Sequence, residues 1–238
     1  MSTLILLPGL ASDDTLWRGI AEPLAEAGHG PVHVTDVHNR HATLPEMAAA
    51  LLSEHDGPLR LAGTSMGGML ALEVLRQAPG RVQALALLGS TARPDTPEAI
   101  KLRSDAIVLF ESGRMDEVLR ANLPFAFHPS APQRQPGLVP DYLAMVRRAG
   151  PHQLVRQNRA VMARADSRPL LATIRCPLLV AVGDSDLLTP PECSEEIAAA
   201  VPHARFERLS ECGHLLTMEQ PARIAALLRD WLAEQRDA

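Results

Sequence analysis

The chain is poor in lysine, in aromatic residues and in cysteine. Lys101 is the only lysine among 23 basic residues; the rest are arginine. No glycine-rich loop precedes it, which excludes a Walker A phosphate loop, and nothing nearby suggests the desolvated lysine that a Schiff base needs. The aromatics number seven (four Phe, two Trp, one Tyr), so an aromatic-rich core is excluded. Cys176, Cys193 and Cys212 are odd in number and without CxxC spacing, which removes a disulfide scaffold and leads us to expect a reduced, cytoplasmic protein. No apolar run approaches the roughly 18 residues of a membrane span. The opening Met1–Gly9 has no charged segment before its apolar residues and breaks at Pro8-Gly9, so a signal peptide is not expected either. A formal net charge of −5 argues against nucleic acid or an anionic membrane as partner, since both reward clustered basic charge.

What is present, 46% hydrophobic and 21% charged residues over 238 positions, suits a globular domain with a sizeable core. Short apolar runs alternate with helical patterns. Strands are expected at Thr3–Leu7, Val32–Val37, Leu59–Ala62, Val82–Leu88, Leu178–Val182 and Arg205–Leu209. Helices are expected at Thr15–Ala27, Leu44–His55, Met66–Gln77, Pro191–Val201 and Pro221–Gln235. Strands separated by single helices imply βαβ units, hence an α/β fold with a mostly parallel sheet of about six strands, flanked by helices. The alternation fails between Thr91 and Thr173. Helical patterns around Glu98–Glu111, Asp116–Ala121, Tyr142–Arg148 and Gln153–Ala165 are punctuated there by Pro and Gly, with Pro124–Pro140 expected as a connector. Residues 1–90 and 174–238 therefore form the core, and 91–173 a helical insertion.

Gly63-Thr64-Ser65-Met66-Gly67 places GxSxG between a strand and a helix. Such a turn pushes a serine hydroxyl out at the carboxyl edge of the sheet, with glycines where the backbone is crowded and helix N–H groups ready for an oxyanion. A serine needs a base, and the base an orienting carboxylate. Gly183-Asp184-Ser185-Asp186 follows the fifth strand, and Cys212-Gly213-His214 follows the last, so two carboxylates and an imidazole emerge at the same edge.

Together, Leu7-Pro8-Gly9-Leu10, Gly63–Gly68, Gly183–Asp186 with Pro190, and Gly213-His214-Leu215 resemble the α/β-hydrolase superfamily over almost the whole chain, in its small lidded esterase or enol-lactonase-like branch. The resemblance implies a shortened six-stranded sheet with a helical lid before the strand that bears the acid. It implies Ser65 as nucleophile, His214 as base and Asp186 as acid, since the acid of similar proteins is the fourth residue of a Gly-x-x-Asp turn. Asp184 would then shape that turn. It also implies an oxyanion hole from the Met66 and Leu10 amides. Where many relatives carry His-Gly this chain has Pro8-Gly9, and Asp36–His41 replaces their Asp-x-x-Gly-x-Gly turn.

The expected activity is hydrolysis of a small carboxylic ester, thioester or lactone through an acyl-enzyme, with no metal and no cofactor. The alternatives are carbon–carbon bond hydrolysis or perhydrolysis on the same triad, or a non-catalytic binding member of the fold. Phe125, Phe127, Leu188 and Leu215 are the candidate pocket residues; if the two phenylalanines face away, the pocket is aliphatic. His33, Asp36, His38 and His41 lack metal-ligand spacing and are expected in a solvated loop. Cys212 is expected as a buried small residue and Trp17 as packing against the sheet. A homo-oligomer is compatible with the sequence but not indicated by it.

Overall fold

The computed structural model describes residues 2–28 and 30–235; Met1, at the head of the opening stretch, lies outside the described residues. Six strands form one sheet: β1 (Thr3–Leu7), β2 (Val32–Val34), β3 (Leu59–Thr64), β4 (Val82–Leu88), β5 (Leu178–Gly183) and β6 (Arg205–Leu209). Their order is β2-β1-β3-β4-β5-β6 and every pairing is parallel. Alternate residues face opposite sides. Leu4 and Leu6 of β1 enter one core with Trp17, Leu228 and Trp231, while Ile5 and Leu7 enter the other with Met47, Leu70 and Ile197. Because both faces are covered, the central strands are mainly apolar, with Arg60 near the start of β3 and Gln83 near the start of β4 as exceptions.

The chain leaves β1 toward β2 on one side and returns to β3 on the other. In an open parallel sheet the crevice at the carboxyl ends of two such strands is the place for a site, because the connections diverge there. Here it lies between the loop after β1 and the turn after β3.

The helices are α1 (Ala21–Glu26), α2 (Val37–Arg40), α3 (Leu44–Glu54), α4 (Met66–Gln77), α5 (Pro97–Glu111), α6 (Met115–Ala126), α7 (Ala131–Arg134), α8 (Leu138–Met162), α9 (Arg168–Leu171), α10 (Pro191–Ala200), α11 (Leu216–Glu219) and α12 (Pro221–Glu234). Local signals fix several starts. Thr43 and Glu46 form a reciprocal capping box on α3, and Thr96 caps α5 ahead of Pro97. None of the helices among the described residues is long and apolar enough to cross a membrane.

The structure departs from expectation in four places. The helix expected over Thr15–Ala27 is a 3-10 turn at Asp14–Trp17 followed by α1, broken at Gly19, whose φ of 75° is left-handed. The second strand stops at Val34, and Val37 opens α2 instead. The connector Pro124–Pro140 carries α7 and the first turn of α8. The patterns around Tyr142–Arg148 and Gln153–Ala165 are one long element interrupted at Gly150 (φ 75°, ψ 171°), where the following Pro151 disfavours helical backbone.

Candidate active site

Ser65 sits between β3 and α4 with φ 51° and ψ −117°. A non-glycine residue in that region costs about 1–3 kcal/mol and persists only where its surroundings enforce it. They do so here. The Ser65 amide donates to Leu88 O at 2.9 Å, and Ser90 Oγ donates to Ser65 O at 2.8 Å. A methyl group at Gly63 would collide with Gly67 O, and one at Gly67 with Leu7 O, so the turn closes only with glycine at both positions. Gly9 packs against the Ser65 side chain, where a methyl group would lie 3.5 Å from Ser65 Cβ.

Asp186 and His214 are brought together. Both are buried, and His214 Nδ1 lies 3.0 Å from Asp186 Oδ1 and 2.9 Å from Oδ2. Asp186 Oδ1 also accepts the Leu188 and Thr189 amides, each at 2.9 Å, and Oδ2 accepts the Thr189 hydroxyl at 2.9 Å. Burial pushes the Asp186 carboxyl up. The neighbouring His214 and the amide and hydroxyl of Thr189 outweigh it and hold the acid below its ordinary range. An ionised carboxylate only accepts, so Nδ1 carries the proton and Nε2 is left as the basic nitrogen. Asp184 does something different: it accepts the Glu211 amide at 3.0 Å and the Cys212 amide at 3.3 Å, tying the turn after β5 to the histidine loop. Among the described residues no hydrogen bond joins Ser65 to His214.

The histidine loop is also tied to the end of α6. The His214 and Leu215 amides donate to Ala126 O at 3.1 and 3.3 Å. Buried Glu219 accepts the Gly213 amide through one oxygen at 3.0 Å and the His128 amide through the other at 3.1 Å. Burial raises the Glu219 acid despite these bonds. Gly213 is required, since a methyl group there would strike the backbone of Phe127 and His128.

The loop after β1 turns tightly at Gly9–Ser12, with the Ser12 amide donating to Gly9 O at 3.3 Å and Ala11 at φ 54°. Among the described residues the Leu10 amide has no hydrogen-bond partner, and Met66, first in α4, has no intrahelical acceptor for its N–H.

Of the candidate pocket residues, Phe125 is exposed, and Phe127 is buried edge-on against Tyr142 with ring centroids 5.4 Å apart. Leu215 packs on the same cluster, while Leu188 is 48% exposed. Beside the loop after β1 lies a cavity of about 310 Å³ lined by Ser12, Asp13, Asn39, Arg148 and Gln153, among others. His38, expected in a solvated loop, is buried instead. Its Nε2–H donates to Ser12 O at 2.8 Å, and its Nδ1 has no partner among the described residues. His33 lies against the His55 ring and Asp36 pairs with Arg40, so three of the four residues, His38 included, have separate partners. Cys212 is fully buried, and burial drives its thiol well above the ordinary value, which disfavours the thiolate. Trp17 is buried in the core against the sheet. The sequence singled out none of Thr189, Glu219 and Ser90; of the three, Thr189 stands nearest to a residue that it did, directly before Pro190.

The alpha/beta hydrolase fold family matches residues 2–221, and the chain belongs to that family. Its kinship is with ester-hydrolysing enzymes of the fold. It is 27% identical over 192 residues to the pimeloyl-[acyl-carrier protein] methyl ester esterase of Neisseria meningitidis serogroup B / serotype 15 (strain H44/76), covering 78% of this chain and 73% of that protein. It is 26% identical over 251 residues to RutD of Serratia proteamaculans (strain 568), provisionally a carbamate hydrolase, covering 99% and 92%. A solved structure of a thermophilic esterase from Thermogutta terrifontis, with malate bound, is 28% identical and superposes with a TM-score of 0.88, covering 98% of this chain and 90% of that one.

Proposed function

We propose that the protein is a serine hydrolase of small carboxylic esters, with Ser65 as nucleophile, His214 as base and Asp186 as the orienting acid. The observation that carries this is the pairing of His214 Nδ1 with the buried Asp186 carboxylate, which leaves Nε2 basic. The strained Ser65 turn at the same sheet edge supplies the hydroxyl. Ser65 Oγ attacks the ester carbonyl and its proton passes to His214 Nε2. The Leu10 and Met66 amides receive the oxyanion. The leaving alcohol takes the proton from His214; water, deprotonated by the same nitrogen, then attacks the acyl-enzyme, and His214 returns that proton to Ser65 Oγ as the carboxylic acid departs. None of these steps calls for a metal or an organic cofactor. Residues 91–173 act as a helical lid inserted into the core. The names of the relatives, an acyl-carrier methyl ester esterase and a provisional carbamate hydrolase, agree with acyl transfer to water. Thioesters, lactones and carbamates present the same carbonyl to the same serine.

Turnover of a panel of p-nitrophenyl esters, acyl thioesters and lactones tests the reading, with Ser65→Ala as blank and fluorophosphonate labelling of the folded protein alongside. Hydrolysis with an adduct on Ser65, both lost in the variant, is the expected result. Undiminished turnover by Ser65→Ala overturns the mechanism, and absence of both turnover and adduct favours a non-catalytic binding member of the fold.

A further inference from the structure

Gln157 on α8 is completely buried, although nothing in the proposed chemistry uses it. Its Oε1 accepts the Ala11 amide at 2.6 Å, and its Nε2 donates to His38 O at 3.0 Å and to Asn39 Oδ1 at 3.4 Å. The amide orientation is unambiguous: a backbone N–H can only donate and a backbone carbonyl can only accept, so the oxygen must face Ala11 and the nitrogen His38.

The contact falls on the turn that offers the Leu10 amide. Gly9 O accepts from the Ser12 amide, which makes Leu10 and Ala11 the two central residues. Ala11 has the positive φ that a type II turn demands at its third position, ordinarily supplied by glycine. An alanine there favours relaxation of the turn by rotation of the Leu10–Ala11 peptide. That peptide is held at both ends, its carbonyl by Ser12 Oγ at 3.2 Å and its N–H by Gln157. The Gln157 bond also occupies the Ala11 amide, whereas the Leu10 amide beside it has no hydrogen-bond partner among the described residues. Gln153, one turn earlier on α8, and Arg156, the preceding residue, reach His38 O and Asn39 O, carbonyls of α2. The same helix therefore fixes both supports of the turn.

We propose that Gln157 is a positioning residue for the oxyanion hole. From the helical insertion it holds the Leu10–Ala11 peptide in the orientation that keeps the Leu10 N–H available to the oxyanion. This rests on the Leu10 role proposed above. A donor displaced from the oxyanion loses its effect on the transition state but leaves ground-state binding of the ester almost untouched.

The test uses the full-length protein and a p-nitrophenyl ester that the wild type turns over. Gln157→Met keeps the volume and removes both polar atoms. It should lower kcat by about 10- to 100-fold with KM within about twofold, and speed hydrogen exchange of the Ala11 amide measured by NMR. Gln157→Glu keeps an acceptor for Ala11, but its second oxygen repels His38 O unless protonated. Its kcat relative to wild type should therefore be low at pH 8 and recover toward pH 6. Should the Met variant fail to fold, this ratio decides. Faster Ala11 exchange with unchanged kcat, or a Glu-to-wild-type ratio flat with pH, overturns the proposal and leaves Gln157 as a packing bond. Failure of the serine mechanism would show instead as turnover surviving in Ser65→Ala, whatever the Gln157 variants do.

Discussion

The Asp186 carboxylate meets His214 Nδ1 with both oxygens, at 3.0 and 2.9 Å, whereas Asp184, two residues earlier, spends its own oxygens on the Glu211 and Cys212 amides. The two acids should therefore separate by experiment. Asp186→Asn removes the charge that fixes the imidazole tautomer and should lower kcat on an ester substrate on the order of 10⁴-fold. Asp184→Asn should leave kcat within about tenfold and cost stability instead, about 1 kcal/mol in urea unfolding for the weakened loop bonds. The opposite ranking would move the acid to Asp184.

The glycines of the serine turn differ in kind from those on the surface. Gly67→Ala places a methyl group on Leu7 O and Pro8 O, so β1 and α4 must separate. The expected loss is about 4 kcal/mol or more, seen in denaturant unfolding or as failure to yield folded protein. Gly137 precedes α8 with φ −79° and open space around it. Gly137→Ala should be neutral or stabilise by about 0.4–1 kcal/mol through the unfolded chain. Equal behaviour of the two variants would contradict the packing described for the turn.

The strands and the carboxyl-edge residues were legible in the sequence because each is written locally. Val82–Leu88 is an apolar run interrupted only by Gln83 and bounded by Pro79-Gly80 and Gly89, and β4 occupies those same residues. Met66–Gln77 follows a glycine turn and ends before proline, as α4 does. What escaped was set by distant contacts. His38 carries no local sign of burial; it is buried because Ser12, 26 residues earlier, offers a carbonyl, and because α8 covers it. Gln157 sits 146 residues from the amide that it binds, amid a polar stretch of sequence that gives it the look of a solvated helix face. Gly150 signalled an interruption, but not that two helical halves would continue across it.

Glu219 joins the histidine loop to the chain after α6 through two backbone amides and is itself buried. Glu219→Ala leaves the Gly213 and His128 N–H groups without their acceptor and should cost about 2–4 kcal/mol in unfolding free energy. The acid also has a pH signature. Burial, the dominant cause, raises it above its ordinary value near 4.5, against the pull of the two amides, His128 and Arg134. Folding therefore favours the protonated form, and the contribution of Glu219 falls as pH rises from about 4.5 through the raised value. The stability of wild type relative to Glu219→Gln should decline between pH 4 and 7. A difference constant across that range would mean that the carboxyl does not titrate abnormally.

His38 gives the opposite dependence. Burial, the largest influence, lowers its pKa from 6.5; the bond to Ser12 O and the charges of Asp36 and Asp13 oppose this, and Arg156 reinforces it. The folded state thus holds a neutral imidazole whose Nε2–H reaches Ser12 O. Its contribution to stability is complete above the unfolded value of 6.5 and is lost as pH falls through 6.5 toward the folded pKa, at about 1.4 kcal/mol per unit of separation. His55, whose pKa is also lowered by burial, titrates in the same direction, so the informative quantity is the difference between wild type and His38→Gln. Glutamine can still donate to Ser12 O but does not titrate. Between pH 7 and 5 the wild type should lose stability relative to this variant, and its kcat should fall more steeply, because Ser12 closes the turn that presents Leu10. Parallel stability curves for the two proteins would remove His38 from the control of that turn.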